Sequence, residues 1–255
     1  MQERYYRKFR SRECNVHIRR KPASKYHQVR HSTLLAKLAQ LDLPDEVYNW
    51  LVDYFAGHKH LTQYGGATST MLPINASIVQ GSGIGPASYV VNAADLRTTT
   101  PGNRIAKYAD DTYLIIPACN VQSRANELDN VEAWAKVNNL RLNRHKSVEI
   151  VVTDGRRRRL VDPPPTLHDV SRVTSVKILG VTFTCKLSLS EHVSVIVSAC
   201  APTLHALRVL RSHGMNDAAL QTIYKAVVVA KLTYAASVWW GFTSADDRRR
   251  ICRPP

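Results

Sequence analysis

Two aspartates in succession, Asp110 and Asp111, stand between two short apolar runs, residues 105–109 and 112–116. That spacing predicts a tight β-hairpin carrying both carboxylates at its tip. For stability alone the arrangement is poor, because adjacent like charges repel and Asp disfavours strands. A divalent cation removes the objection: hard carboxylate oxygens bind Mg2+, and Mg2+ bridges substrate phosphates. Two such ions, about 3.5–4 Å apart, hold the attacking and leaving oxygens of an in-line phosphoryl transfer. Successive strand residues face opposite ways, so the aspartates are expected to be unequal, Asp110 a direct ligand and Asp111 a secondary one. The competing reading is an acidic β-turn, since Asp is common in turns. The setting Tyr108-Ala109-Asp110-Asp111 inside an apolar frame raises the metal reading above it.

The charge balance points the same way. The 255 residues hold 35 Lys and Arg against 20 Asp and Glu, a net charge of +15. Such a surface attracts polyanions, nucleic acid foremost, although a merely basic soluble protein or a membrane-surface binder would share it. Residues 1–28 are the most basic stretch and lack periodicity, so a poorly ordered arm is expected there. None of the five cysteines forms a C-x-x-C pair, and the first ten residues are too charged for a signal peptide. The best apolar stretch in this reading, 223–240, contains Lys225 and Lys231, so no membrane span is expected. An intracellular protein, nuclear or cytoplasmic, is the expectation.

Along the chain, Leu34, Leu35, Leu38 and Leu41 have helical spacing. Pro44 opens a second helix with Val47, Trp50, Leu51, Tyr54 and Phe55 on one stripe, and Gly57 stops it. Segments 61–64 and 71–79 flank a GGATST turn and predict a hairpin. A glycine-rich loop, 80–86, leads into a helix over 87–96. Further helices are expected over 120–138, 190–213 and 217–239, the last two joined at Gly214, with strands over 148–152 and 176–183. Arg156 to Arg159 form an exposed basic loop that suits a nucleic-acid patch or a charged surface equally. Strands interleaved with helices, then an all-helical tail, give an α+β class.

Tyr108-Ala109-Asp110-Asp111 resembles the catalytic box of reverse transcriptases, and other boxes follow in that family's order. Gln80-Gly81-Ser82 with Pro86 resembles its Q-G-S-x-x-x-P loop, with Val79 where the family usually has Pro. Residues 140–147 resemble the L-x-L-N-x-x-K-[ST] box, Ile178-Leu179-Gly180 the primer-grip turn, and residues 29–35 the end of the first palm motif in retrotransposons without long terminal repeats (non-LTR, LINE-type). The resemblance implies a partial fingers and palm over 29–175, mostly antiparallel sheet with helices. It implies a primer grip and helical thumb over 176–255, behind an unrelated basic leader over 1–28.

It also implies roles. Asp110 and Asp111 would hold two Mg2+ ions, and Lys146 would balance the triphosphate and protonate the leaving group. Gln80, Gly81 and Ser82 would approach nucleotide and template, Tyr108 would sit beside them, and Leu179 and Gly180 would turn against the primer. Taken singly, the glycines are an ordinary turn, Lys146 a solvated lysine and Leu179-Gly180 a strand-end turn. Arg208, Arg211, Lys225 and Lys231 would meet phosphates or be an ordinary solvated helix face. RNA template, DNA primer and dNTPs would be the partners.

The pattern breaks at one place. The family's D-x-x-x-A-F-D precedes the Val29-Arg30-His31 segment, and by that spacing Lys21 stands where an essential Asp belongs. No acid lies between Glu13 and Asp42 to replace it, and a cation there repels Mg2+. The expectation is therefore an N-terminally truncated, inactive copy; a non-catalytic basic nucleic-acid-binding remnant is the alternative.

Overall fold

The computed structural model describes residues 13–16, 29–77, 82–109, 111–153 and 163–252. The chain divides into two compact units, Met1–Glu149 with Pro164–Ser171, and Ile150–Pro163 with Arg172–Pro255.

In the first unit, strand β1 (Glu13–Val16) precedes helices α1 (His31–Leu38) and α2 (Asp45–Phe55). Pro44 fixes the entry to α2, and Asp45 and Glu46 in its first turn suit the positive end of the helix dipole. Buried Val29, Leu34, Leu38 and Phe55 form one core cluster. The expected α2 stripe is only partly an inner face: Val47 and Trp50 are exposed, and Trp50 stacks on Tyr54 at 5.5 Å. Two nested ladders follow, β2 (Lys59–His60) with β5 (Leu72–Pro73), and β3 (Gln63–Tyr64) with β4 (Ala67–Thr68). Gly65 and Gly66 close the inner one, both at positive φ (54° and 82°), as a primed two-residue turn requires. Helix α3 (Gly85–Asn92) is shorter than its expected 87–96 at the C-terminal end.

The main sheet contains β6 (Arg104–Tyr108), β7 (Asp111–Pro117), β8 (Val148–Val151) and β9 (Ser171–Arg172), with strand order β6-β7-β1-β8-β9. The basic arm thus supplies a strand, which corrects the expectation of poor order for those four residues. Cys14 pairs with Ile116 and Asn15 with Ile115, antiparallel to β7. Counting charge misses this because a ladder is held by backbone N–H and C=O groups. Along β7 burial alternates, with Thr112, Leu114 and Ile116 inward. Leu114 and Ile116 pack on Leu128 of α4 (Arg124–Val137), Leu142 and Val170.

Fully buried Glu127 on α4 accepts hydrogen bonds from the Thr99 amide (3.1 Å), the Thr100 amide (2.7 Å) and Asn103 Nδ2 (2.9 Å). It therefore fixes the turn that feeds β6. Burial pushes its carboxyl up, but Asn103 and the Thr100 and Thr99 amides together hold it below the usual carboxylate range. A depressed folded-state value contributes stability above the unfolded value, lost as pH falls through the folded one. Glu127→Gln should therefore flatten the acid limb of stability against pH. Urea midpoints with identical pH slopes for both proteins would contradict this.

In the second unit, β10 (Ser175–Ile178) and β11 (Val181–Thr184) form a hairpin, followed by α5 (Ser190–Ser212). Among the described residues, helix α5 is long and apolar enough, by length and composition alone, to cross a membrane, whereas 223–240 is divided among shorter elements. Its Val193, Ile196, Val197 and Cys200 join a core with Val181, Val228 and Trp239. Gly214 (φ 85°) turns the chain, and Asn216 caps α6 (Asp217–Ile223) by accepting from the Ala219 amide at 2.8 Å. The helix expected to run unbroken over 217–239 instead passes through a π-helical stretch, Tyr224–Val229, into α7 (Ala230–Thr233). It breaks at Tyr234-Ala235 and resumes as α8 (Ala236–Trp239), before α9 (Ala245–Cys252). The whole is an α+β fold, as expected.

Candidate active site

The β6–β7 hairpin has a two-residue turn one position earlier than the sequence suggests. Tyr108 pairs with Asp111 as the last rung, so the turn begins at Ala109 and Asp111 belongs to β7. Ala109 takes a left-handed φ of 47°, costing about 1–2 kcal/mol for a residue with a Cβ. Asp111 lies on the face opposite Leu114 and Ile116 and is half-buried; its Oδ2 accepts from the Tyr113 hydroxyl at 3.3 Å. Tyr108 is exposed. Asp110, the expected direct ligand, lies outside the described residues, as do Gln80 and Gly81 of the glycine loop and Arg156 to Arg159.

Ser82, the described end of that loop, accepts from the Gly85 amide at 3.1 Å as the chain enters α3, while its buried Oγ has no hydrogen-bond partner among the described residues. Two lysines grip the other end of α3, where carbonyls lack helical partners. Lys37 of α1 donates to the Asn92 carbonyl (2.6 Å) and to Asp95 (3.0 Å). Lys107 of β6 donates to the Ala93 (2.5 Å) and Leu96 (3.1 Å) carbonyls, and burial pushes its amine down. The strand before the acidic turn is thereby bonded to the helix after the glycine loop. Sequence reading missed both lysines; Lys107, a cation within an apolar strand, was the available signal.

The 140–147 box has a local logic. Leu142 enters the core, and Asn143 caps a 3-10 turn, Arg144–Lys146, by accepting from the Lys146 amide at 3.1 Å. Arg144 bonds Glu132 (2.5 Å) and Asp129 (2.7 Å) on α4. These contacts hold the backbone and leave the Lys146 side chain exposed. Among the described residues no hydrogen bond joins its amine to the hairpin. In the second unit, Leu179 and Gly180 form the β10–β11 turn at φ 44° and 91°. Lys231 donates to the Ala199 carbonyl (3.1 Å). Trp239 is a core residue and Trp240 is exposed.

Carboxylate oxygens on the hairpin suit a hard cation. Yet among the described residues no three His, Cys, Asp or Glu side chains gather as a metal-binding group. The described donors alone do not make a metal centre.

A family model described as reverse transcriptase (RNA-dependent DNA polymerase) matches residues 23–183. The RNA-directed DNA polymerase from mobile element jockey of Drosophila melanogaster is 26% identical over 229 residues, covering 84% of this chain and 25% of that protein. The probable RNA-directed DNA polymerase from transposon BS of the same fly is 26% identical over 241 residues, 89% of this chain and 26% of that protein. A Pol polyprotein from the type-1 retrotransposable element R1 of Nasonia vitripennis is 25% identical over 174 residues, 63% of this chain and 52% of that protein. The chain spans about a quarter of the length of the two fly proteins.

Proposed function

Since the chain belongs to the reverse transcriptase family, with relatives among non-LTR retrotransposon polymerases, we propose that it is a primer–template-binding polymerase region with weakened chemistry. The observation that carries this is the hairpin: a strained two-residue turn flanked by Tyr108 and Asp111, inside the segment the family model matches. In this reading the first unit is the palm and the helices of the second are the thumb. Asp110 and Asp111 would hold Mg2+, which in the family supplies charge neutralisation for nucleotidyl transfer. Gln80, Gly81 and Ser82 would approach nucleotide and template, with glycine permitting close backbone contact. Tyr108 would meet the nucleotide beside them. Lys146, exposed and with its backbone amide capped by Asn143, would offer its ammonium to the triphosphate. Leu179 and Gly180 would meet the primer end.

Lys21 is what weakens the chemistry. The family match begins two residues beyond it, at residue 23, and an ammonium where a bridging carboxylate belongs opposes Mg2+. Primer extension by the purified chain, with Mg2+, dNTPs and a DNA-primed RNA template, tests this. The native chain should bind the template–primer and extend it barely above background. Lys21→Asp should raise extension at least about tenfold, equivalent to about 1.4 kcal/mol of barrier, and Asp110→Ala should remove the gain. Vigorous extension by the native chain would defeat the assignment to Lys21, and failure to bind template–primer would defeat the whole reading.

A further inference from the structure

Tyr234 stands at the break between α7 and α8. Its ψ of 122° leaves the helix, and Ala235 restarts it at a φ of 50°. A left-handed alanine persists only where its surroundings over-determine it. Here two contacts do so. Trp239 Nε1 donates to the Tyr234 carbonyl at 2.8 Å, and the Tyr234 hydroxyl donates to the Leu179 carbonyl at 3.0 Å. Its ring also lies on Gly180, where a Cβ would come within 2.9 Å of the ring carbon Cε1. Glycine is therefore required at 180 twice over, by its φ of 91° and by the ring. Leu179 itself carries a left-handed φ of 44°, and the hydroxyl fixes its carbonyl. This is not core packing: Tyr234 remains 55% exposed and Leu179 42%.

We propose that Tyr234 is a positioning residue that sets the Leu179–Gly180 turn against the 3′ end of a primer strand. The proposal rests on the reading that this turn meets the primer. The helix break places the ring, the ring excludes any side chain at 180, and the hydroxyl orients the backbone that would face the strand. Charged helix residues would bind duplex phosphates without sensing an end, so recognition of the recessed terminus is what Tyr234 would control.

The test measures binding of the full chain to two RNA–DNA hybrids of equal duplex length, one blunt and one with a recessed DNA 3′ end. The native chain should prefer the recessed end. Tyr234→Ala should lose that preference by about tenfold, or about 1.4 kcal/mol, with blunt-duplex affinity unchanged. Tyr234→Phe, which keeps the ring on Gly180, should lose only part. Thermal melting of each variant guards against unfolding, and Tyr234→Phe is the arm least exposed to it. Full end preference in a folded Tyr234→Ala overturns the proposal while leaving the polymerase reading intact. No end preference in the native chain overturns both.

Discussion

Glu149→Ala should destabilise the first unit by about 3–5 kcal/mol, among the largest single-residue losses available in this chain. Glu149 is fully buried on β8, and its carboxylate pairs with the guanidinium of Arg124 at the start of α4. Arg124 also donates from Nε to the Val121 carbonyl (2.8 Å) and from a terminal nitrogen to the Pro165 carbonyl (3.0 Å). Removing the carboxylate leaves a buried guanidinium with two neutral acceptors and no counter-charge. The loss should appear as a lower urea midpoint with unchanged slope. The double variant Arg124→Met/Glu149→Leu should recover most of it, since the cost lies in the orphaned charge and not in the absence of a bond. A single-variant loss under about 1 kcal/mol, as at solvated pairs, would show that water reaches the pair. The consequence for function is indirect: this pair ties α4 to the sheet on which the Asp111 hairpin is built.

What the sequence made legible follows from where its signals are local. The β6–β7 hairpin, the Gly65–Gly66 turn and the start of α2 announced themselves through alternation, paired glycines and a proline. The hairpin's register was misplaced by one residue because a left-handed alanine at 109 has no sequence signature, whereas Asp-Asp looks like a turn. The break at Tyr234-Ala235 was invisible for a related reason. Residues 217–239 have helical spacing throughout, and the interruption is explained by contacts that spacing does not carry: the Trp239 indole on the Tyr234 carbonyl, and Tyr234 on Leu179 and Gly180. Strand β1 was missed because its pairing is a backbone property inside a stretch read for charge. The lysine caps on α3 were missed because a helix end 11–55 residues away is not a sequence neighbour. Family resemblance singled out Asp111, Ser82, Lys146, Leu179 and Gly180 as candidates, yet it named none of the residues that hold them in place.

Trp239→Ala should cost the second unit about 3–5 kcal/mol, the usual range for deleting a buried large aromatic. Trp239 is 1% exposed, lies in the core with Val181, Val193 and Val228, and meets the His192 ring edge-on at 5.4 Å. Burial first and Lys177 second push the His192 imidazole down, so it packs there neutral. Trp239→Phe separates volume from hydrogen bonding. It keeps much of the apolar bulk but loses the Nε1–H that holds the Tyr234 carbonyl, for a cost of about 1–3 kcal/mol. If the indole holds the helix break and the break holds the Leu179 turn, Trp239→Phe and Tyr234→Phe act on one network. Their combined loss should then depart from the sum of the single losses by about 0.5 kcal/mol or more. Chemical denaturation of the four proteins in the cycle measures that difference directly. Additive losses would mean that the break stands without the indole, and that Tyr234 reaches Leu179 on its own.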